Sequence, residues 1–182
     1  MRFYSTNNKG NFTSLKDAVL TGLAPDNGLY MPESIPMFPQ SFFETIHELD
    51  FRQIALAVAQ TYAGQEIPAS KLKDIIEHTI AFEAPLVNIE KNISALELFH
   101  GPTMAFKDFG ARFMSQLLGF FSTQIKQEII ILVATSGDTG SAVANGFLGV
   151  PGVRVVVLYP SGKVSDIQEK QFTTLGRNIT AL

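Results

Sequence analysis

The 182-residue chain has no cysteine, and its three histidines, His47, His78 and His100, are scattered along it. Without a thiol there is no disulfide, no thiolate metal site and no cysteine nucleophile, and histidines so dispersed do not make a metal-ligand set. Charge is sparse: 17% of the residues are charged, with 14 Lys+Arg against 17 Asp+Glu and a formal net charge of -3. No Lys/Arg-rich run is available to neutralise a phosphate backbone, so nucleic acid is excluded as a partner. No window reaches the roughly 18 consecutive apolar residues of a membrane span, and the start, Met1 to Lys9, lacks the apolar run of a signal peptide. These absences predict a cytoplasmic protein with no membrane contact. What is present, 46% hydrophobic residues, is the composition of an ordinary globular chain.

The pattern changes near Ala84-Pro85. Residues 1–83 read as a mainly helical region joined by Pro/Gly turns, with Asp26-Asn-Gly28 and the prolines at 25, 32, 36 and 39 marking a stretch without regular structure. Ser41 with Glu44 three residues later predicts a capping box at a helix start. Ile54, Ala55, Val58, Ala59 and Tyr62 predict a helix over 51–62 closed by Gly64 in the left-handed conformation. A second amphipathic helix is predicted over 70–82. Residues 84–182 instead alternate short apolar runs with helical spacing. Strands are predicted at 95–99, at 129–133 with both faces buried, at 153–158 and at 178–182. Between them, helices are predicted from near Thr103, from Thr139 to Phe147 and from Asp166 to Leu175. That order predicts an α/β fold: a parallel sheet built by βαβ crossovers, covered on both faces, with ligands at the carboxyl ends of its strands.

Two loops at those ends have chemical potential. His100-Gly-Pro-Thr-Met-Ala-Phe-Lys-Asp-Phe-Gly110 puts Lys107 in the opening turn of a helix, where the partial positive charge of unpaired amides disfavours an ammonium. Apolar neighbours Phe106 and Phe109 add a desolvation effect of the same sign, so Lys107 tends toward the free amine that attacks a carbonyl. The alternative is a surface lysine paired with Asp108. Ala134-Thr-Ser-Gly-Asp-Thr-Gly-Ser141 lies between the most apolar strand and a helix. Its glycines admit a ligand close to the backbone, and its amides and hydroxyls form a cradle for a carboxylate or phosphate. The alternative there is a loop that binds nothing. Neither nucleotide-binding glycine pattern is present. Asp138-Thr-Gly-Ser141 spells the aspartic-protease tetrapeptide, but a single copy between a strand and a helix is the wrong frame for that chemistry. His100 is read as a local hydrogen-bonding residue or an acid–base group, and Lys163 as a solvated cation or a contact for an anionic substrate.

Taken together, Leu98-Phe-His-Gly-Pro-Thr-Met-Ala-Phe-Lys-Asp-Phe-Gly110 and Ala134-Thr-Ser-Gly-Asp-Thr-Gly-Ser-Ala142 resemble the amino-terminal part of the threonine synthases. These are pyridoxal-phosphate enzymes of the tryptophan synthase β-like fold (fold type II). Gly22-Leu-Ala-Pro-Asp-Asn-Gly-Leu-Tyr-Met-Pro32 and Tyr159-Pro-Ser-Gly-Lys-Val-Ser-Asp-Ile-Gln-Glu-Lys170 resemble the same family, so the likeness runs over nearly the whole chain. The resemblance implies PLP-dependent conversion of O-phospho-L-homoserine and water to L-threonine and phosphate, a carbon–oxygen lyase reaction. It implies Lys107 as the catalytic lysine that carries pyridoxal 5'-phosphate, Phe106 and Asp138 as further cofactor contacts, and Ser136, Gly137, Thr139 and Gly140 as the substrate-carboxylate loop, with no metal. Asp138 departs from the asparagine that related enzymes often place against the cofactor's 3-oxygen. The family's downstream loop for the cofactor phosphate and its partner for the pyridine nitrogen have no counterpart in the sequence. The resemblance therefore implies that the fold is incomplete, that a missing carboxyl-terminal part of the enzyme is a partner, and that the chain alone is inactive or weakly active. Two alternatives remain: a related PLP-dependent phospholyase or dehydratase, and a non-catalytic fragment acting as a binding module.

Overall fold

The structure is a computed structural model that describes residues 1–125 and 127–182. The chain divides into two compact units, Met1–Glu77 and His78–Leu182.

In the first unit, β1 (Phe3–Ser5) lies between β2 (Phe12–Thr13) and β3 (Tyr30–Pro32) in a small antiparallel sheet. None of these strands was expected. Each is two or three residues long, too short for an alternation to register, and β3 falls within the proline-rich stretch read as irregular. Helix α1 (Leu15–Thr21) starts where Ser14 accepts the Asp17 amide. Helix α2 (Gln40–Thr45) opens at Pro39 without a side-chain cap, so Ser41 and Glu44 lie inside it and form no capping box. The capping box belongs to α3 (Phe51–Ala63), between Asp50 and Gln53. Gly64 closes α3 in the right-handed region at φ -66°, not in the left-handed conformation, and its amide simply continues the ladder to Gln60. Helix α4 (Ala69–Thr79) buries Leu72, Ile75 and Ile76 along one stripe and ends three residues before the predicted limit.

In the second unit, β4 (Leu86–Glu90) and β5 (Ile93–Leu96) form an antiparallel hairpin. The strand predicted at 95–99 is thus two residues early, and it pairs with its sequence neighbour instead of joining the parallel sheet. Helix α5 (Lys107–Ser122) begins four residues later than expected, because residues 101–106 are taken up by turns with Met104 at φ +56°. The parallel sheet has the order β6-β7-β8, from β6 (Ile129–Ala134), β7 (Val153–Leu158) and β8 (Ile179–Ala181). Helices α6 (Asp138–Gly146) and α7 (Asp166–Thr173) are its crossovers. Val153, Val155 and Val157 of β7 are buried together with Leu117, Leu118 and Phe121 of α5, Phe147 beyond α6 and Phe172 of α7. Burying each such side chain is worth about 1.5–3 kcal/mol of transfer free energy. Coverage on both faces is not what the structure has. Ile130 and Leu132 of β6 are 61% and 65% exposed, because only alternate residues of this strand turn toward the helices.

Candidate active site

The site forms where β6 ends and α5 and α6 begin. Helices α5 and α6 pack against each other, and Gly146 permits the close approach: a Cβ there would stand 3.0 Å from the Ala111 carbonyl carbon. The amino-terminal turn of α5 is fixed by Asp108, 1% exposed, whose carboxylate accepts from the Thr103 amide (2.9 Å) and the Thr103 hydroxyl (2.6 Å). Asp108 is therefore committed to the turn and is not the partner of Lys107. Among the described residues the Lys107 amine has no carboxylate partner, and Nζ lies 5.0 Å from the centre of the Phe106 ring.

Across from Lys107 lies the loop after β6. Thr135 Oγ1 accepts from the amides of Gly137 and Gly140, both at 3.0 Å, and donates to the Gly137 carbonyl at 3.2 Å. This folds the loop back on itself. At Gly140 a Cβ would sit 2.3 Å from Thr135 Cγ2, so a side chain at that position collides with the residue that shapes the loop. The N-cap residue of α6, Gly137, has no side chain to cap the helix, and Thr135 Oγ1 reaches only the Gly140 amide of its first turn. Its first-turn amides, apart from that of Gly140, are left for a ligand oxygen or water at the positive end of the helix dipole.

Lys107, Ala134, Thr135, Ser136, Gly137, Asp138, Thr139 and Gln168 line one cleft of about 330 Å³. The two loops singled out in the sequence thus meet: Lys107 faces Ser136, Gly137, Asp138 and Thr139. Gly140 is one step behind the rim, held by Thr135. Phe106 adjoins Lys107 but is 61% exposed and outside the cleft lining. His100 is paired with Glu97 at 2.7 Å and stacked on Phe99, and Lys163 is exposed; neither lines the cleft. Thr135 and Gln168 were not anticipated. Gln168 donates to Asp138 Oδ1, and its own Oε1 accepts from Ser165 Oγ at 3.0 Å. Chemically, the cleft combines an amine without a carboxylate partner among the described residues with a hydroxyl- and amide-rich anion cradle.

The chain is similar to known proteins over nearly its whole length. The family model described as "Threonine synthase N terminus" matches residues 2–80. The threonine synthase of Escherichia coli (strain K12) is 44% identical over 179 residues, covering 98% of this chain and 41% of that protein. Two solved structures superpose over 100% of the chain and 40% of their own. PLP-bound threonine synthase from Brucella melitensis does so with a TM-score of 0.93 at 35% identity, and threonine synthase from yeast with 0.92 at 38%. The chain thus spans about two-fifths of the length of these relatives.

Proposed function

The chain belongs to the threonine synthase family, and from that footing we propose that it supplies the lysine-bearing part of a site converting O-phospho-L-homoserine and water to L-threonine and phosphate. The observation that carries the reading is the unpartnered Lys107 amine facing a small-residue anion cradle in one cleft. Such a pair fits pyridoxal phosphate, the group named in the Brucella relative. When bound, that cofactor supplies an aldehyde for an amine and a ring that accepts electrons from the substrate.

Lys107 would hold the cofactor covalently and then carry protons to and from the substrate α and β carbons. The first-turn amides of α6 with the hydroxyls of Ser136 and Thr139 would bind the substrate carboxylate, with Gly137 and Gly140 keeping the backbone open to it. Asp138, one of whose oxygens is held by Gln168, would turn the other toward the cofactor's 3-oxygen. Phe106 would lie against the ring beside Lys107. Among the described residues no arginine, and no lysine besides Lys107, lines the cleft. The phosphate of the cofactor and that of the substrate therefore call for residues from a carboxyl-terminal part of the enzyme. With that partner the chain acts as a lyase; alone it is weakly active or inactive. No helix of the described residues is long and apolar enough to cross a membrane.

Mixing the purified chain with pyridoxal phosphate tests the reading. A visible absorption band should form and be absent in Lys107→Ala, and borohydride reduction should label Lys107. Label on another lysine, or an unreactive Lys107 in a folded chain, would favour a non-catalytic binding module. With the carboxyl-terminal part added, threonine as product supports the synthase, and a 2-oxoacid instead identifies a phospholyase or dehydratase.

A further inference from the structure

The first unit contains a second cavity that the proposed chemistry does not use. It has a volume of about 620 Å³, and Ser5, Asn8, Asn11, Phe12, Asp26 and Tyr30 are among its lining residues. Asp26 is held in place by its neighbours. Its Oδ1 accepts from Ser5 Oγ at 2.6 Å and from the Gly28 amide at 3.0 Å, and the Asn7 side-chain amide fixes the Asp26 carbonyl at 2.9 Å. The Ser5 hydroxyl first, then the Gly28 amide, hold this carboxyl below its ordinary range, so it is ionised at neutral pH. Its other oxygen, Oδ2, has no partner, and Asp26 makes no ion pair among the described residues.

The neighbouring cations are committed elsewhere. Arg2 pairs with Glu33 at 2.8 Å and stacks on the Phe12 ring, while Lys9 lies over Tyr4. The rest of the lining is neutral and donor-rich. Asn8 uses its carbonyl to accept from the Gly10 amide, so the NH2 is what it can offer a ligand. The side chains of Asn11, Thr13 and Tyr30 make no hydrogen bond among the described residues. Ala24, Pro25 and Phe12 supply apolar surface. An oriented, uncompensated carboxylate beside neutral amide donors and apolar walls matches a ligand carrying an ammonium and a carboxylate on one carbon, with an apolar group attached.

We propose that this cavity, between the Asp26 turn and the β1–β2 connection, is a binding site for a free α-amino acid with an apolar side chain, its ammonium on Asp26 and its carboxylate on Asn8 and Asn11. Nuclear magnetic resonance of the full chain without cofactor tests it, so the result does not depend on the reaction assigned to Lys107. The probes are L-leucine, N-acetyl-L-leucine, which lacks the ammonium, and isoamylamine, which lacks the carboxylate. L-leucine should shift the Gly28 amide and the Asn8 and Asn11 side-chain amides, with both analogues at least about tenfold weaker. Asp26→Asn should lose binding. Asn11→Ala changes an exposed side chain with no partner, leaves the fold intact and should weaken L-leucine while sparing isoamylamine. Absence of shifts with L-leucine, equal binding of either analogue, or L-leucine binding unaltered in Asn11→Ala would each overturn the proposal.

Discussion

Gln168 reaches from α7 to the first residue of α6 and donates its Nε2 hydrogen to Asp138 Oδ1 at 2.5 Å, joining residues 30 positions apart. The link ties two crossover helices of the parallel sheet together at the rim of the cleft and leaves Asp138 one oxygen to present. Gln168 is oriented in turn by Ser165, whose hydroxyl donates to its Oε1.

If Asp138 contacts the cofactor, Gln168→Ala should weaken it through orientation alone. A hydrogen bond to a charged group is worth about 1.5–3 kcal/mol, and solvent exposure of Asp138 places the loss at the low end, about tenfold in affinity for pyridoxal phosphate. Gln168→Glu should be worse, because a second carboxylate then faces Asp138. Titration followed by visible absorbance reads both. An unchanged titration in Gln168→Glu would remove Gln168 from the site.

Asp108 is a buried anchor. Asp108→Ala leaves the Thr103 amide and hydroxyl without their acceptor, in a turn that contains Met104 at positive φ. The expected cost is about 2 kcal/mol or more by urea denaturation. Lys107 follows Phe106 directly into α5 from that turn, so reactivity of its amine toward pyridoxal phosphate should fall in the same variant under conditions where it remains folded.

The parts legible in the sequence were those written locally. Ile129 to Val133, Val153 to Leu158 and the small-residue loop after β6 each announce themselves within one short window, so the parallel sheet and most residues of the cleft were foreseeable. Pairing partners are not local. Nothing within 95–99 says that the strand there turns back on Leu86–Glu90 instead of entering the parallel sheet, and the apolar run of β6 does not reveal that Ile130 and Leu132 face outward. Capping failed for a related reason: both Ser41/Glu44 and Asp50/Gln53 have the right spacing, and the chain's path through Pro39 decides which one closes. Thr135 and Gln168 escaped notice because their roles depend on folding back within a loop and on contact between two helices.

Thr135 makes the clearest case for an internal scaffold. Its one oxygen accepts from Gly137 and Gly140, so Thr135→Val keeps the shape and strands both amides in a part-buried loop. A loss of about 1–3 kcal/mol is expected. Thr135→Ser retains the oxygen and should stay within about 1 kcal/mol of the parent, the deficit being the lost methyl. Equal stability of the valine and serine variants would show that the loop does not depend on this oxygen.

Stability of the first unit should fall on acidification. The Asp26 carboxyl is lowered by Ser5 and the Gly28 amide, and the Glu33 carboxyl by its hydrogen bond and charge pairing with Arg2. A carboxyl lowered in the folded state contributes stability that is present above its unfolded value. That stability is lost as the pH falls through the ordinary carboxylate range toward the folded values. For Tyr159 the sign is opposite: desolvation first, then the charge of Glu169, raise its phenol, so its contribution is complete below the ordinary tyrosine range and is lost as the pH rises through it. Thermal unfolding across pH should therefore show an acid limb flattened by Ser5→Ala and an alkaline limb flattened by Tyr159→Phe. The Arg2–Glu33 part of the acid limb lies on the surface and should shrink with added salt, whereas the Asp26 part, set by neutral donors, should persist. An acid limb that vanished entirely in salt would mean that Arg2, and not the Ser5 hydroxyl, sets the pH dependence.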